Sequence, residues 1–263
     1  MDHVVHAHVR WHAAGRHQRD PAQHHRRARP RPPAGLTVAD AVVVYRETRE
    51  RLSDYLVREI DDEWWEAAVP ACPGWTVQDV VSHMVGIVAD IQDGRMEGVG
   101  SDEWTAFQVT ARRDLPLTEV IGEWSRRAPA FEEAVAAWPP AVAAQIVADS
   151  AMHELDIRNA LGDRSSRDTD AVPIAIDYYA HKLADRIAEA GVAPLVVDYD
   201  GTVVTLGEGA PGATLRTTRF EALRAMGGRR SAAQVAAYDW EGDAAPYVAL
   251  ISSYGSREEP LVE

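Results

Sequence analysis

Residues 76–91, TVQDVVSHMVGIVADI, carry the clearest helical pattern in the chain. Thr76 is suited to an N-cap position, and Asp79 stands three residues later, which is the spacing of a capping box. The apolar residues that follow recur at helical intervals and form a broad stripe: Val77, Val80, Val81, Met84, Val85, Val88 and Ile91. The stretch predicts a helix with its apolar face in a protein core, ended by Gly94 and the segment 98–101.

Three further segments show the same helical period. They span residues 38–60, 117–138 and 141–161. The pair Pro139-Pro140 separates the last two, and Gly162 follows the last one in the position of a helix C′ residue. Four helices joined by mostly short breaks predict an up-down four-helix bundle.

The pattern changes after the polar run of residues 162–168. A helix at 172–190 precedes two β-branched runs that flank Asp200-Gly201, a pair typical of a hairpin turn. A strand near 213–218 and short helices near 231–237 and 244–253 complete a small α+β unit. The predicted fold class is therefore α+β and mainly α, with a bundle over 37–165 and a small α+β domain over 170–263.

The first 36 residues differ from the rest of the chain. Seven of the ten histidines lie there, and seven arginines against two aspartates give residues 1–34 a charge of +5. The segment has no hydrophobic period, so we expect a disordered tail. Its histidines leave a metal-binding tract open as the alternative.

Charge and composition exclude several classes of function. The whole chain carries −14, so the part after the basic tail carries −19. Such an acidic body argues against nucleic acid and against an anionic membrane surface as partners. No apolar run is long enough to span a membrane. Cys72 is the single cysteine of the 263 residues, so no internal disulfide forms and a cytoplasmic, reducing compartment is expected.

Three residues of the predicted bundle are candidates for a metal site. Asp149 and His153 stand four residues apart, so they share one helix face, and His83 lies beside the apolar stripe of the second helix. Three nitrogen and oxygen ligands with an open fourth position are typical of a catalytic metal. The alternative is a surface hydrogen bond between Asp149 and His153 with a separate core histidine.

Two stretches make the chain recognisable. Residues 69–83, VPACPGWTVQDVVSH, resemble the CPGW-T-V-x-D-x-x-x-H signature of the mycothiol-dependent maleylpyruvate isomerase family. Residues 149–156, DSAMHELD, resemble the second signature of that family, an acid four residues before a histidine. GRRS at 228–231 and DWEGD at 239–243 resemble its small C-terminal domain. The likeness covers about residues 37–255.

The resemblance implies a fold and a cofactor set. The N-terminal domain of the family is a DinB-like four-helix bundle that binds a divalent metal, usually zinc. Carried over, the ligands are His83, Asp149 and His153, with aspartate where the isomerases have glutamate. Imidazole and carboxylate ligands also suit iron, nickel or cobalt. The second cofactor that the resemblance implies is mycothiol, whose thiol is the nucleophile.

Four other residues have lesser expected roles. Asp156 is placed to accept a hydrogen bond from the His153 ring. Arg229 and Arg230 precede a predicted helix start at Ser231, and an arginine there suits a carboxylate of the substrate. The resemblance also implies a substrate-binding arginine in this domain. Cys72 has no basic residue near it in the sequence, so we expect a buried turn residue without a chemical role.

Two functions follow from these observations. The first is a metal-dependent enzyme, an isomerase or thiol transferase that uses mycothiol on a small electrophilic substrate. The second is a non-catalytic, metal-stabilised module that binds a small molecule. Turnover of mycothiol distinguishes them.

Overall fold

The computed structural model describes residues 37–263. The expected disordered tail and its histidine tract lie outside these residues. The four predicted bundle helices are present as α1 (Val38–Arg58), α2 (Val77–Asp93), α4 (Leu117–Val135) and α5 (Pro140–Ala160). A further helix, α3 (Asp102–Thr110), which the sequence pattern did not predict, stands between α2 and α4.

Local sequence signals set the ends of these helices. Thr76 and Asp79 form the predicted capping box at the start of α2, with each side chain bonded to the other residue's backbone N–H. Gly94 ends α2 in the left-handed conformation, at φ 74°. Pro140 occupies the first turn of α5, where its missing N–H costs no hydrogen bond. The predicted C′ residue Gly162 has φ 72°.

The core lies between the helix pairs. Helix α1 packs against α4 and α5, and α2 packs against α3, α4 and α5. Leu52 and Phe131 are fully buried, and Trp124 donates a hydrogen bond to the Tyr45 hydroxyl over 2.9 Å. Because that indole N–H has a buried partner, burial of the Trp124 ring leaves no polar atom without a hydrogen bond.

The rest of the described chain forms the predicted α+β part. Its elements are α6 (Ala171–Glu189), β1 (Leu195–Tyr199), β2 (Thr202–Leu206), β3 (Ala213–Thr217), α7 (Arg219–Met226), α8 (Ala232–Ala236), β4 (Asp239–Gly242) and α9 (Ala245–Val248). The sequence pattern did not predict α7 and β4. The strand order is β2-β1-β3-β4, with β1 and β3 parallel and the other pairs antiparallel. Asp200 at φ 52° and Gly201 at φ 81° form the predicted β1–β2 hairpin turn.

The bundle and the α+β part are in direct contact. Helix α6 packs against both α5 and α7. All the described residues fall in one compact unit. The division near residues 165–170 therefore stays a prediction. None of the helices in residues 37–263 has both the length and the apolar character that crossing a bilayer requires.

Candidate metal site and cavity

The structure brings the three predicted metal ligands together. His83 projects from α2, and Asp149 and His153 project from α5, with one ligand atom of each within 4.8 Å of the others. The His153 Nε2 atom lies 3.7 Å from Asp149 Oδ1. The two imidazole rings meet edge to face, with centroids 5.2 Å apart. We call these residues the His83–Asp149–His153 group.

Each histidine of the group has its Nδ1 atom held by an oxygen acceptor. His153 Nδ1 donates to Asp156 Oδ2 over 3.1 Å, as expected, and His83 Nδ1 donates to Gln108 Oε1 over 2.7 Å. Because Nδ1 carries the proton in both rings, Nε2 offers its lone pair in the neutral form. This arrangement is typical of metal-binding histidines, so the donor set fits a divalent ion.

The Gln108 contact is part of a longer chain of hydrogen bonds. Gln108 Nε2 donates to Asp90 Oδ2 over 2.8 Å, which orients the amide with Oε1 toward His83. Arg95 Nε donates to the other Asp90 oxygen over 2.7 Å. Gly86 lets α3 come this close, because a Cβ atom there would lie 2.4 Å from Gln108 Cβ. Helices α2 and α3 thus hold the His83 ring together, a contact that no sequence pattern predicted.

Gln108→Leu should weaken metal binding without removing a ligand. The leucine fills similar space but cannot accept from His83 Nδ1, so the ring loses its fixed tautomer and orientation. Loss of such an outer partner costs about 10–100-fold in metal affinity. A competition titration with a chromogenic chelator measures the change.

Gln92→Leu is the matched control for this prediction. Gln92 lies on α2, and its side-chain amide donates to the Arg127 carbonyl of α4 over 2.9 Å, away from the histidines. Its metal affinity should stay within about threefold of the unchanged protein. Equal affinities for Gln108→Leu and Gln92→Leu would contradict the positioning role of Gln108.

Burial and charge set opposite proton affinities on the two histidines. Burial lowers the pKa of His83 to about 4. Burial also acts to lower the pKa of His153, but Asp149 and the hydrogen bond to Asp156 outweigh it and raise this pKa to about 10. In the metal-free protein at neutral pH, His153 is therefore charged and His83 is neutral. A metal has to displace the His153 proton, so metal affinity falls as the pH falls.

A second group of possible ligands overlaps the first. One ligand atom each of Cys72, His153 and Asp156 also lies within 4.8 Å of the others. Asp156 is fully buried, and its oxygens lie 2.7 Å from Arg224 Nη1 and 2.7 Å from Arg229 Nη2. Because two guanidinium groups already neutralise Asp156, a metal ion beside it would be repelled. The His83–Asp149–His153 group fits a cation better.

Cys72 is not the buried turn residue that was expected, while its lack of a chemical role stays a prediction. Cys72 is partly exposed and lines the cavity described below, and a cation stands next to it. Its Sγ atom lies 3.9 Å from Arg229 Nη2, 3.4 Å from Asp156 Oδ2 and 4.0 Å from His153 Nδ1. Arg229 follows Cys72 by 157 residues, so no local sequence signal places them together.

The two candidate arginines lie in different surroundings. Arg229 lines the cavity, and its Nη2 atom bonds Asp156. Arg230 does not reach the cavity: its Nε atom lies 2.6 Å from Glu221 Oε2 and its Nη1 atom 2.7 Å from Glu263 Oε2. Of the pair, only Arg229 is placed to touch a molecule at the His83–Asp149–His153 group.

A cavity of about 900 Å³ opens onto the group. Its inner end contains His83, Asp149, His153, Cys72 and Arg229. Its outer wall is mainly apolar and aromatic, and Asp102, Thr105 and Gln145 are its polar members. The apolar and aromatic members are Ile87, Ile91, Met96, Val99, Trp104, Trp138, Val142 and Ile146. This volume is in the usual range for small-molecule sites.

A sequence model of the mycothiol maleylpyruvate isomerase N-terminal domain matches residues 45–163. These residues belong to that domain family. The matched range holds α2 and α5, and with them the whole His83–Asp149–His153 group. The resemblance drawn from the two sequence signatures is confirmed.

Solved structures extend the likeness to the fold of nearly the whole chain. A crystal structure of the mycothiol-dependent maleylpyruvate isomerase superposes with a TM-score of 0.56 at 12% identity, over 86% of this chain and 97% of the other. A histidine-to-alanine mutant of that isomerase gives 0.54 at 11% identity, over the same 86% and 97%. No functionally curated protein sequence matches the chain. The two superpositions confirm the predicted fold, a bundle followed by a small α+β part.

Proposed function

We propose that this protein is a metal-dependent enzyme that uses mycothiol as an external nucleophile, as an isomerase or thiol transferase on a small electrophilic substrate. The observation that supports this proposal most strongly is the His83–Asp149–His153 group at the inner end of the 900 Å³ cavity. The Nδ1 atoms of His83 and His153 are both held by oxygen acceptors. The family of the N-terminal domain supports the choice of thiol.

The chain's own residues supply the metal site. His83 and His153 would bind through Nε2 and Asp149 through a carboxylate oxygen, which leaves a position for a further ligand. A divalent metal held there, with zinc as the first choice, would lower the pKa of a bound thiol so that the thiolate would form at neutral pH. The cavity beside the group gives an outside molecule access, because the Asp149 side chain is 33% exposed.

Arg229 is the residue proposed to orient the substrate. Its Nε and Nη2 atoms bond Asp156 over 3.3 and 2.7 Å, and its Nη1 atom donates to the Gly227 carbonyl over 2.8 Å. A guanidinium has five N–H groups, so one on Nη1 remains for a ligand oxygen, and the second on Nη2 is held only by the weak acceptor Cys72 Sγ at 3.9 Å. Asp156 holds the guanidinium in place, which lets these donors meet a carboxylate in a set geometry.

Turnover of mycothiol with an electrophile tests the proposal. The zinc-loaded full-length protein should consume the thiol together with an α,β-unsaturated keto acid, or isomerise the acid only when the thiol is present. Asp149→Asn keeps the side-chain size but removes a ligand charge, so metal and activity should fall together. Metal binding with no thiol-dependent reaction would contradict the enzyme and favour the non-catalytic module that binds a small molecule.

Arg229→Lys should raise the KM for a carboxylate-bearing electrophile by about tenfold, since one ammonium cannot serve both Asp156 and the substrate. Its metal content should be unchanged. Arg230→Lys is the matched control, because Arg230 bonds Glu221 and Glu263 outside the cavity. Steady-state kinetics of the three proteins measure the difference, and an equal rise of KM in both variants would contradict the assignment.

A further inference from the structure

The outer wall of the cavity is apolar and partly open to solvent. Ile87 and Ile91 come from α2, Trp104 from α3, and Val142 and Ile146 from α5. At its edge, Met96 is 45%, Val99 54% and Val142 40% exposed. Exposed apolar side chains gathered around one cavity mouth indicate a ligand that covers them. Mycothiol is a cysteine amide of an amino sugar linked to inositol, so its hydroxyl-rich body does not match this wall.

Positive charge is scarce in the same cavity. Among residues 37–263, Arg229 is the one lysine or arginine that lines it. The Asp156 carboxylate already neutralises much of the Arg229 charge, and Asp102 adds negative charge to the lining. Arg230, the other predicted anchor, is held by Glu221 and Glu263. One substrate carboxylate therefore has a cationic partner, and a second has none.

The metal does not supply the missing charge. A divalent ion held by two neutral imidazoles and the Asp149 carboxylate carries one net positive charge. A thiolate at the same ion neutralises that charge. A dicarboxylate would then place its second acid group against an apolar wall near Asp102, at the cost of desolvating an unpaired charge.

We infer that the electrophile for this site carries a bulky apolar body, aromatic or branched alkyl, and a single carboxylate. The apolar wall of α2, α3 and α5 covers the body, and Arg229 takes the carboxylate. That the ligand is an electrophile rests on the proposed function. The binding preference itself does not depend on thiol chemistry, so the two can fail separately.

Three unreactive γ-keto acids test the preference by calorimetry with the zinc-loaded full-length protein. Levulinate carries a methyl group on the ketone, β-benzoylpropionate a phenyl group, and γ-oxopimelate a second carboxylate arm. The phenyl acid should bind at least about tenfold more tightly than levulinate, because it buries more apolar surface. The diacid should bind no more tightly than levulinate.

Ile146→Gln should reduce the advantage of the phenyl acid severalfold and leave levulinate unchanged. Val57→Ser is the control, because Val57 is a 48% exposed apolar residue of α1 outside the cavity. Tightest binding of the diacid, or equal binding of phenyl and methyl acids, would overturn the inference. The comparison of the three acids on the wild-type protein tests the inference even if Ile146→Gln fails to fold. Loss of thiol turnover with the phenyl preference intact would overturn only the proposed enzyme.

Discussion

Asp156→Ala should lower the free energy of unfolding by about 3–5 kcal/mol, because it leaves buried charges without a partner. Asp156 and Arg224 are both fully buried and lie 2.7 Å apart, and Arg229 lies 2.7 Å from the other oxygen. The same carboxylate accepts from His153 Nδ1. The substitution therefore removes a partner from His153 on α5, from Arg224 on α7 and from Arg229 after α7. Urea denaturation monitored by circular dichroism measures the loss.

A surface ion pair provides the control. Asp93 lies 2.9 Å from Arg95 and 3.1 Å from Arg127, but its side chain is 35% exposed. Asp93→Ala should therefore cost about 0–1 kcal/mol. Equal losses for the two alanine variants would contradict the assignment of Asp156 as the shared buried partner of Arg224, Arg229 and His153.

The pH dependence of the Asp156 contribution follows from its surroundings. Burial acts to raise the pKa of Asp156, but Arg229 and Arg224 outweigh it and hold this pKa well below its usual range. A depressed folded-state pKa means that the stabilisation is complete above the unfolded value near 3.8 and is lost as the pH falls below it. The difference between wild type and Asp156→Ala should therefore shrink only in acid.

His83→Ala and His153→Ala should each lose most of a single bound divalent metal. Removal of one of three ligands should cost at least about 100-fold in affinity, since even an outer partner costs about 10–100-fold. His181→Ala is the matched control, because the His181 side chain is 78% exposed and pairs with Asp177 on α6. Metal analysis after dialysis against a weak chelator gives the content of each protein.

The comparison uses the full chain in every case. The seven histidines of residues 1–36 are then the same in all variants, so a difference in metal content reports the bundle. Full metal in both His83→Ala and His153→Ala would remove the site assignment and leave the histidine tract as the alternative.

Local signals in the sequence were enough for the bundle and for part of the site. Thr76 with Asp79 predicted the start of α2, and Asp200-Gly201 predicted the β1–β2 turn. The spacing of Asp149 and His153 predicted that they share a face, because residues four apart on a helix are neighbours. Their approach to His83 followed from the family resemblance rather than from spacing.

Contacts between distant segments could not be predicted in this way. Gln108 lies on α3, a short helix with few buried residues, so no apolar stripe marked it. Arg229 meets Asp156 across 73 residues of sequence. The surroundings of Cys72 depend on that same arginine, and its chemistry could therefore be assessed only once the α+β part was placed against α5.

The most direct test of the account is mycothiol binding to the cobalt-substituted full-length protein. Cobalt accepts the same ligands as zinc and reports a bound thiolate as a near-ultraviolet charge-transfer band. We predict that mycothiol produces this band with wild type and equally with Cys72→Ala. That variant contains no cysteine, so its thiolate band must come from mycothiol. No band on adding mycothiol would contradict the external-thiol mechanism, and a band lost in Cys72→Ala would show that the reactive sulfur belongs to the chain itself.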